Sequence, residues 1–370
     1  MLAWGIMGDE LGYKGYLIGA IVQARNGSSR FPRKVFADLA GRPILGRIIE
    51  RLRGARLPDK IVIATTREPE DREIIDFARS AGVFAFAGST NDVQERFLGA
   101  AHENGLQVIV RICGDSPFVD PEMIDRLVRE LIDGGGEYAE PDPATPAAYE
   151  GMEAMTLAAL ERSRTMGDEG PDREHVTRFM RCHPDLFRLV HPKPAEEVQG
   201  KFRLSVDNFA DLEFARAVYA ALYREGEIFS AAQLANFLKT HPEVAALNSH
   251  VKQKKTDAKD LHVAFYVAYP EQIEQALPLA RCLNEEHHCG IGFMGQFGES
   301  DADRIRSMGY RAAIIPETGA VNLIGTTARD WRVSVILVGK GEDRLIAGLT
   351  AQGIRTAFFD DPLEKILPAL

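Results

Sequence analysis

The sequence predicts an α/β protein of two domains, each a mostly parallel sheet covered by helices. Three observations point there. From Leu17 onward, short β-branched runs alternate with amphipathic helical patterns, the order expected of strand–helix–strand crossovers. The run at 20–22 is apolar throughout, as in a strand buried on both faces, and those at 60–66 and 106–113 are rich in β-branched residues. With 370 residues, 45% of them hydrophobic, the chain can build two cores, and a polar, lysine-bearing run over 250–260 separates two such alternating series.

The first series opens with Ala20, Ile21 and Val22, which run into a loop holding Gly27, Ser28, Ser29, Arg25, Arg30, Arg33 and Lys34. Pro43 starts a helix with Leu45, Ile48, Ile49 and Leu52 on one face, and residues 60–66 form the next strand. A helix over 69–81, a strand over 83–87 and a helix over 92–103 follow, the last facing inward with Val93, Phe97 and Ala100. The β-branched strand at 106–113 ends at Gly114-Asp115. Asp120 before Pro121 is an N-cap for a helix through Leu131, a structural task that excludes it from the candidate chemistry. The segment 134–150, dense in Gly, Pro and Ala, reads as a loop or flap on the substrate side. Arg173-Glu174-His175-Val176-Thr177 begins a helix, 201–206 forms a strand ending at Asp207, and a further helix carries Leu212, Ala215, Val218 and Leu222 inward.

The expected organisation is an extension over 1–16, a nucleotide-binding domain over 17–249, a solvated linker over 250–260 and a smaller three-layer domain over 261–370. In the last, strands are expected at 263–268, 289–294, 312–315, 333–338 and 356–359, and helices at 271–283, 301–308 and 343–352.

A formal charge of −10 argues against nucleic-acid and membrane-surface partners, so the cations of the first loop form a local feature suited to a small anionic ligand. No apolar run reaches about 18 residues, and Gly5, Gly8, Asp9, Glu10 and Gly12 break the start of the chain against a signal-peptide reading. The four cysteines, Cys113, Cys182, Cys282 and Cys289, lack a C-x-x-C or zinc spacing, which predicts reduced thiols and a cytoplasmic protein. His287-His288-Cys289 resembles a metal cluster, but adjacent residues entering a strand point to different faces.

Ligands of open parallel sheets sit outside the carboxyl ends of strands. Four features occupy such positions: the basic loop, Thr65-Thr66, Gly114-Asp115 and Asp207. Small residues with Arg25, Arg30 and Lys34 suit phosphates, while Asp115 and Asp207 suit Mg²⁺, which pairs one or two carboxylates with phosphate oxygens. The loop does not fit the Walker pattern.

In order along the chain stand Ala24-Arg25-Asn26-Gly27-Ser28-Ser29-Arg30 with Pro32 and Lys34, then Ala64-Thr65-Thr66, Gly88-Ser89 with Asp92-Val93, and Arg111 with Gly114-Asp115 and Pro117. Arg173-Glu174-His175-Val176-Thr177 and Val206-Asp207 follow. This series resembles the motifs of the cytidylyltransferases, most closely the spore-coat-polysaccharide type, with the acylneuraminate and 3-deoxy-manno-octulosonate enzymes as cousins. The resemblance implies a Rossmann-like, glycosyltransferase-A-like nucleotidyltransferase fold and Mg²⁺-dependent transfer of CMP from CTP to a sugar-like acceptor, releasing pyrophosphate. It implies nucleotide contacts from Ala24, Arg25, Gly27, Ser28, Arg30, Lys34, Thr65, Asp92 and Arg111. Lys34, Arg25, Asp115 and Asp207 would act in catalysis, the two aspartates as metal ligands. Glu153, Arg173 and His175 would border the acceptor. Members of the family often form dimers, so a homodimer is the implied assembly. Two departures stand out: the branch carries glycine where this chain has Arg33, and its D-G-x-D-V-E-like acceptor motif is reduced to Tyr149-Glu150-Gly151-Met152-Glu153.

Residues 261–370 resemble the amino-terminal half of nucleotide-sugar hydrolases of the pseudaminic-acid pathway at Leu279-Ala280-Arg281-Cys282-Leu283, Ser307-Met308-Gly309-Tyr310 and Phe358-Phe359-Asp360-Asp361. Ala268-Tyr269-Pro270-Glu271 replaces the glycine-histidine loop expected there, so no hydrolase activity is expected, and protein association or metabolite sensing remains for this part. On residues alone, a glycosyltransferase and a non-catalytic nucleotide-binding scaffold stay open as alternatives.

Overall fold

The computed structural model describes residues 12–167, 170–251, 261–316, 320–361 and 363–367. Most of the extension expected over 1–16 and of the linker expected over 250–260 lies outside them. Contacts group the chain into two compact units. The first takes in residues up to Asn26, Asp38–Val206 and Phe214–Ala245; the second takes in Gly27–Ala37, Asp207–Glu213 and the chain from Ala246 on.

The sheet of the first unit has seven strands: β1 (Ile18–Gln23), β2 (Lys60–Thr66), β3 (Phe84–Gly88), β4 (Val108–Cys113), β5 (Tyr138–Ala139), β6 (Met152–Thr156) and β7 (Leu189–Val190). Their spatial order is β3-β2-β1-β4-β6-β5-β7. β1, β2, β3 and β4 are mutually parallel where they pair, and β6 runs antiparallel to β4 and β5. Ile21 and Val22 of β1 and Ile109 and Val110 of β4 are wholly buried, as expected of apolar strand residues covered on both faces.

The longer helices among these strands are α1 (Ile44–Leu52), α2 (Arg72–Ser80), α3 (Val93–Asn104), α4 (Pro121–Asp133) and α5 (Leu157–Met166). α1 buries Leu45, Ile48, Ile49 and Leu52 as the spacing predicts, but also Arg47 and Arg51. Arg47 Nε donates to Leu39 O at 2.9 Å, and Arg51 donates to Val119 O at 2.6 Å and Phe229 O at 2.8 Å, so each buried charge finds fixed acceptors. Asp120 caps α4 by accepting from Met123 N at 2.8 Å, and its second oxygen accepts from Ala231 N at 3.0 Å.

Three local expectations are corrected. Residues 201–206 are not a ladder strand: Leu204 N and Ser205 N donate to Glu150 Oε2 at 2.6 and 3.0 Å, and Val206 N donates to Asp115 O at 2.8 Å. A carboxylate and one carbonyl take the donors that a neighbouring strand would have taken. The segment 134–150 is not loop throughout, since Tyr138 and Ala139 are fully buried as β5 inside the sheet. Arg173–Thr177 does not begin one continuous helix: a short helix, Pro171–Glu174, ends before His175, Val176 takes φ 44°, a left-handed conformation that a β-branched residue rarely adopts, and a second short helix, Arg178–Cys182, follows.

The sheet of the second unit comprises β8 (His262–Val267), β9 (Gly290–Gly295), β10 (Arg311–Ile314), β11 (Val335–Val338) and β12 (Thr356–Phe358), in order β10-β9-β8-β11-β12, every pair parallel. Alternate residues of β8 enter opposite cores. Val263, Phe265 and Val267 join Ile273 and Leu283 of α6 (Glu271–Glu285), whereas Ala264 and Tyr266 join Ile324 and Leu349. Helix Ala320–Asp330, which the sequence analysis did not expect, supplies Ile324 to the second core. Among the described residues no helix is long and apolar enough to cross a membrane.

Candidate active site

Three of the predicted features leave the same end of the first sheet. β1 and β4 are in parallel register with Gln23 opposite Cys113, and β2 places Ala64 opposite Gln23. Ala24-Arg25, Thr65-Thr66 and Gly114-Asp115 therefore emerge side by side. Gly114 N donates to Gln23 O at 2.9 Å, and a Cβ at Gly114 would lie 2.5 Å from that oxygen, so only glycine permits this approach. Ala24 N donates to Ala64 O at 3.1 Å. Asn26, at the mouth of the loop, is pinned by Asp71: Asn26 N donates to Asp71 Oδ1 at 2.7 Å, and Thr66 Oγ1 donates to the other carboxylate oxygen. Thr65 is fully buried, and its Oγ1 lacks a hydrogen-bond partner among the described residues.

Arg25 is exposed, and the neighbouring residue that responds to it is Arg96 of α3. Burial, and then the charge of Arg25, push the Arg96 guanidinium down to about 10. Arg96 donates to Ser89 O at 2.9 Å while its buried Nε lacks a partner among the described residues. The sequence analysis did not select Arg96. Its signal was a Glu-Arg pair directly following the inward-facing Val93 and Gln94.

The rest of the basic loop belongs to the second unit together with Asp207. Arg30 Nη2 and Lys34 Nζ each lie 2.8 Å from the same carboxylate oxygen, Asp207 Oδ1, and all three side chains are between 13 and 16% exposed. Arg30 Nη1 is buried and without an acceptor among the described residues. Ser28 Oγ accepts from Phe31 N at 3.3 Å and closes the turn after Gly27. Arg33, where the resembling branch has glycine, takes φ 58° and ψ 23° at the start of the 3₁₀ turn Lys34–Phe36, and its guanidinium lies 5.7 Å from the Phe36 ring centre. The backbone there has kept the conformation that glycine favours.

Of the residues expected near the acceptor, Glu153 pairs with Arg111, an expected nucleotide contact, in the first unit. Arg111 and Glu153 are register partners across β4 and β6, joined by an ion pair of 3.1 Å with side chains 12 and 13% exposed. Burial would push the Glu153 carboxyl up, but Arg111, Arg181 and a hydrogen bond from Thr177 outweigh it and hold the group below the ordinary range. Burial likewise works against the Arg111 charge, and Glu153 more than restores it. The nearby Glu140 carboxyl is pushed up by burial and by repulsion from Glu153. Arg173 Nη1 donates to Gln94 Oε1 at 2.6 Å, and His175 presents a buried Nε2 with no partner among the described residues. Asp92 caps α3 through Glu95 N at 2.8 Å and forms two bonds with Arg164, which overcome burial and keep its carboxyl below the usual value.

The structure thus joins Arg30 and Lys34 to Asp207, and Arg111 to Glu153. It sets Ala24, Arg25, Thr65 and Asp115 along one sheet end and occupies Asp92 with a cap and Arg164. It also adds Glu150, which positions the backbone leading into Asp207 and whose own carboxyl is pushed up by burial despite the bonds it accepts from Leu204 and Ser205.

A family model described as Cytidylyltransferase matches residues 19–266. An uncharacterized protein of Methanocaldococcus jannaschii is 34% identical over 239 residues, 63% of this chain and 95% of that protein. The spore coat polysaccharide biosynthesis protein SpsF of Bacillus subtilis is 31% identical over 230 residues, 61% of this chain and 95% of that one. Among solved structures, a cytidylyltransferase from Leptospira borgpetersenii is similar with a TM-score of 0.59 and 27% identity, covering 64% of this chain and all of that one. The family match spans more than half of the chain and contains every residue set described above, and the protein belongs to the cytidylyltransferase family.

Proposed function

We propose that the protein transfers CMP from CTP to a hydroxyl of a sugar-like acceptor with release of pyrophosphate. The observation that carries this reading is the Arg30–Lys34–Asp207 group. Arg30 and Lys34 share one carboxylate oxygen, and the buried Nη1 of Arg30 lacks an acceptor among the described residues; a phosphate oxygen is the acceptor such an arrangement suits. In the reaction the acceptor oxygen bonds to the α-phosphorus, the bond from that phosphorus to the bridging oxygen breaks, and the acceptor proton is lost to solvent or a base. Arg30, Lys34 and Arg25 would neutralise the departing pyrophosphate, while Gly27 and Ser28 let backbone approach the triphosphate.

The oxygen donors fit a divalent cation. Asp207 Oδ1 already draws two positive groups, and Asp115 supplies a second carboxylate at the end of β4. Asp115 and Asp207 would hold Mg²⁺, which when bound supplies positive charge to the triphosphate oxygens. Glu150 serves by fixing residues 204–205. The strained Val176 holds the turn that presents Arg173 and His175, and strain of this kind concentrates at functional sites. The name of the Bacillus relative supports an acceptor destined for a surface polysaccharide.

The test is pyrophosphate release from CTP, Mg²⁺ and a panel of sugars, sugar acids and polyol phosphates. Asp207→Asn and Lys34→Met are each expected to lower kcat/KM by about 10²-fold or more with an unchanged circular dichroism spectrum. Full turnover in Asp207→Asn, or release from other nucleotides but not CTP, would overturn the reading.

A further inference from the structure

The second unit carries a group of donors that nucleotide transfer does not use. Cys282 and Glu286 lie one turn apart at the carboxyl end of α6, and His287 follows directly. Among the described residues these are the one set of three potential metal-binding side chains whose ligand atoms all fall within 4.8 Å of one another. Cys282 Sγ and Glu286 Oε1 are 3.7 Å apart. Ligand atoms around a tetrahedral zinc ion are separated by roughly 3.3–3.8 Å, as follows from Zn–ligand bonds of ~2.0–2.3 Å, so the observed spread closes by small rotations of partly exposed side chains.

Chemistry and position agree. A thiolate, an imidazole and a carboxylate together favour a borderline-soft ion such as Zn²⁺ over Mg²⁺ or Ca²⁺, which prefer oxygen alone. The terminal carbonyls of α6 place the negative end of the helix dipole at the same spot. The turn is also firmly built: Cys289 N donates to Leu283 O at 2.9 Å, and Asn284 Nδ2 donates to Cys289 O at 2.9 Å and to Arg30 O at 3.0 Å. Cys289 itself is fully buried, with its sulfur toward His287 O, so the adjacent His287-His288-Cys289 run contributes His287 alone.

We propose that Cys282, Glu286 and His287 bind one zinc ion, with the fourth position left to water. The ion fastens the end of α6 two residues from Asn284, the side chain that holds the main chain of the basic loop at Arg30.

The experiment uses the full chain, reduced and stripped with a chelator, titrated with Co²⁺ as a spectroscopic stand-in and then with Zn²⁺. A sulfur-to-cobalt charge-transfer band saturating at one equivalent and displaced by Zn²⁺ is expected. Cys282→Ser removes the band, and Glu286→Gln and His287→Gln each weaken binding at least tenfold, while Cys182→Ser, altering the exposed thiol, leaves it intact. Circular dichroism verifies that each variant is folded. Absence of the band in the wild-type chain, its survival in Cys282→Ser, or its loss in Cys182→Ser would overturn the proposal.

Discussion

Glu153→Gln is the sharpest test of how the buried Arg111–Glu153 pair is held. Arg111 and Glu153 face each other across β4 and β6 at 3.1 Å, with only 12 and 13% of their side chains exposed. Breaking such a pair from one side leaves a buried charge without its counter-ion, at a cost of about 3–5 kcal/mol. Glutamine preserves one acceptor for Arg111, and Gln23 Oε1 already accepts from its Nε at 3.2 Å, so the lower end, about 3 kcal/mol, is expected. The double variant Arg111→Met with Glu153→Met removes both charges and is expected to cost far less, on the order of 1 kcal/mol or below. Urea unfolding followed by circular dichroism reads the loss. The sign with pH follows from the depressed Glu153 carboxyl. Its contribution is complete above the unfolded value of about 4.3 and is lost as pH falls through the lower folded value, so the gap between wild type and Glu153→Gln narrows in acid. A loss below about 1 kcal/mol, or a double variant as unstable as the single, would refute the ion-pair argument. Unchanged stability with a raised acceptor KM would instead place Glu153 on the acceptor.

Two further outcomes are expected. Because Arg33 holds φ 58°, Arg33→Gly should be more stable than Arg33→Ala by about 1 kcal/mol, since both lose the side chain but only glycine adopts this conformation without strain; equal thermal midpoints would contradict this. With a thiol-specific reagent at neutral pH, Cys182 should react first and Cys289 last, because Cys182 is exposed while burial pushes the Cys289 thiol up to about 12. Mass mapping that found both modified at the same rate would show that the turn at Cys289 opens readily.

Local chemistry was legible wherever a residue's neighbours in sequence are also its partners in space. The β-branched runs at 60–66 and in β4 form buried strands, Asp120 caps α4, and the apolar spacing of α1 faces the core. It failed where a distant group takes over a local task. Residues 201–206 look like a strand, yet Glu150, some fifty positions earlier, captures their amides. Tyr138 and Ala139 sit among glycines and prolines that signal a loop, and the sheet buries them regardless. Arg47 and Arg51 would be assigned to solvent, but carbonyls on separate segments accept their protons.

By itself the sequence determined the α/β class, the order of its motifs and the residue types available for phosphate and metal, because these depend on periodicity and composition. Only the tertiary structure decided which charges meet. Lys34 and Asp207 are 173 positions apart and share a bond of 2.8 Å; Arg111 and Glu153 pair because the β4–β6 register sets them opposite each other. Cys282 lies within reach of Glu286 and His287 because the end of α6 and the turn after it bring them together, whereas the adjacent His287-His288-Cys289 run passes through that turn with His288 at φ 58° and Cys289 buried.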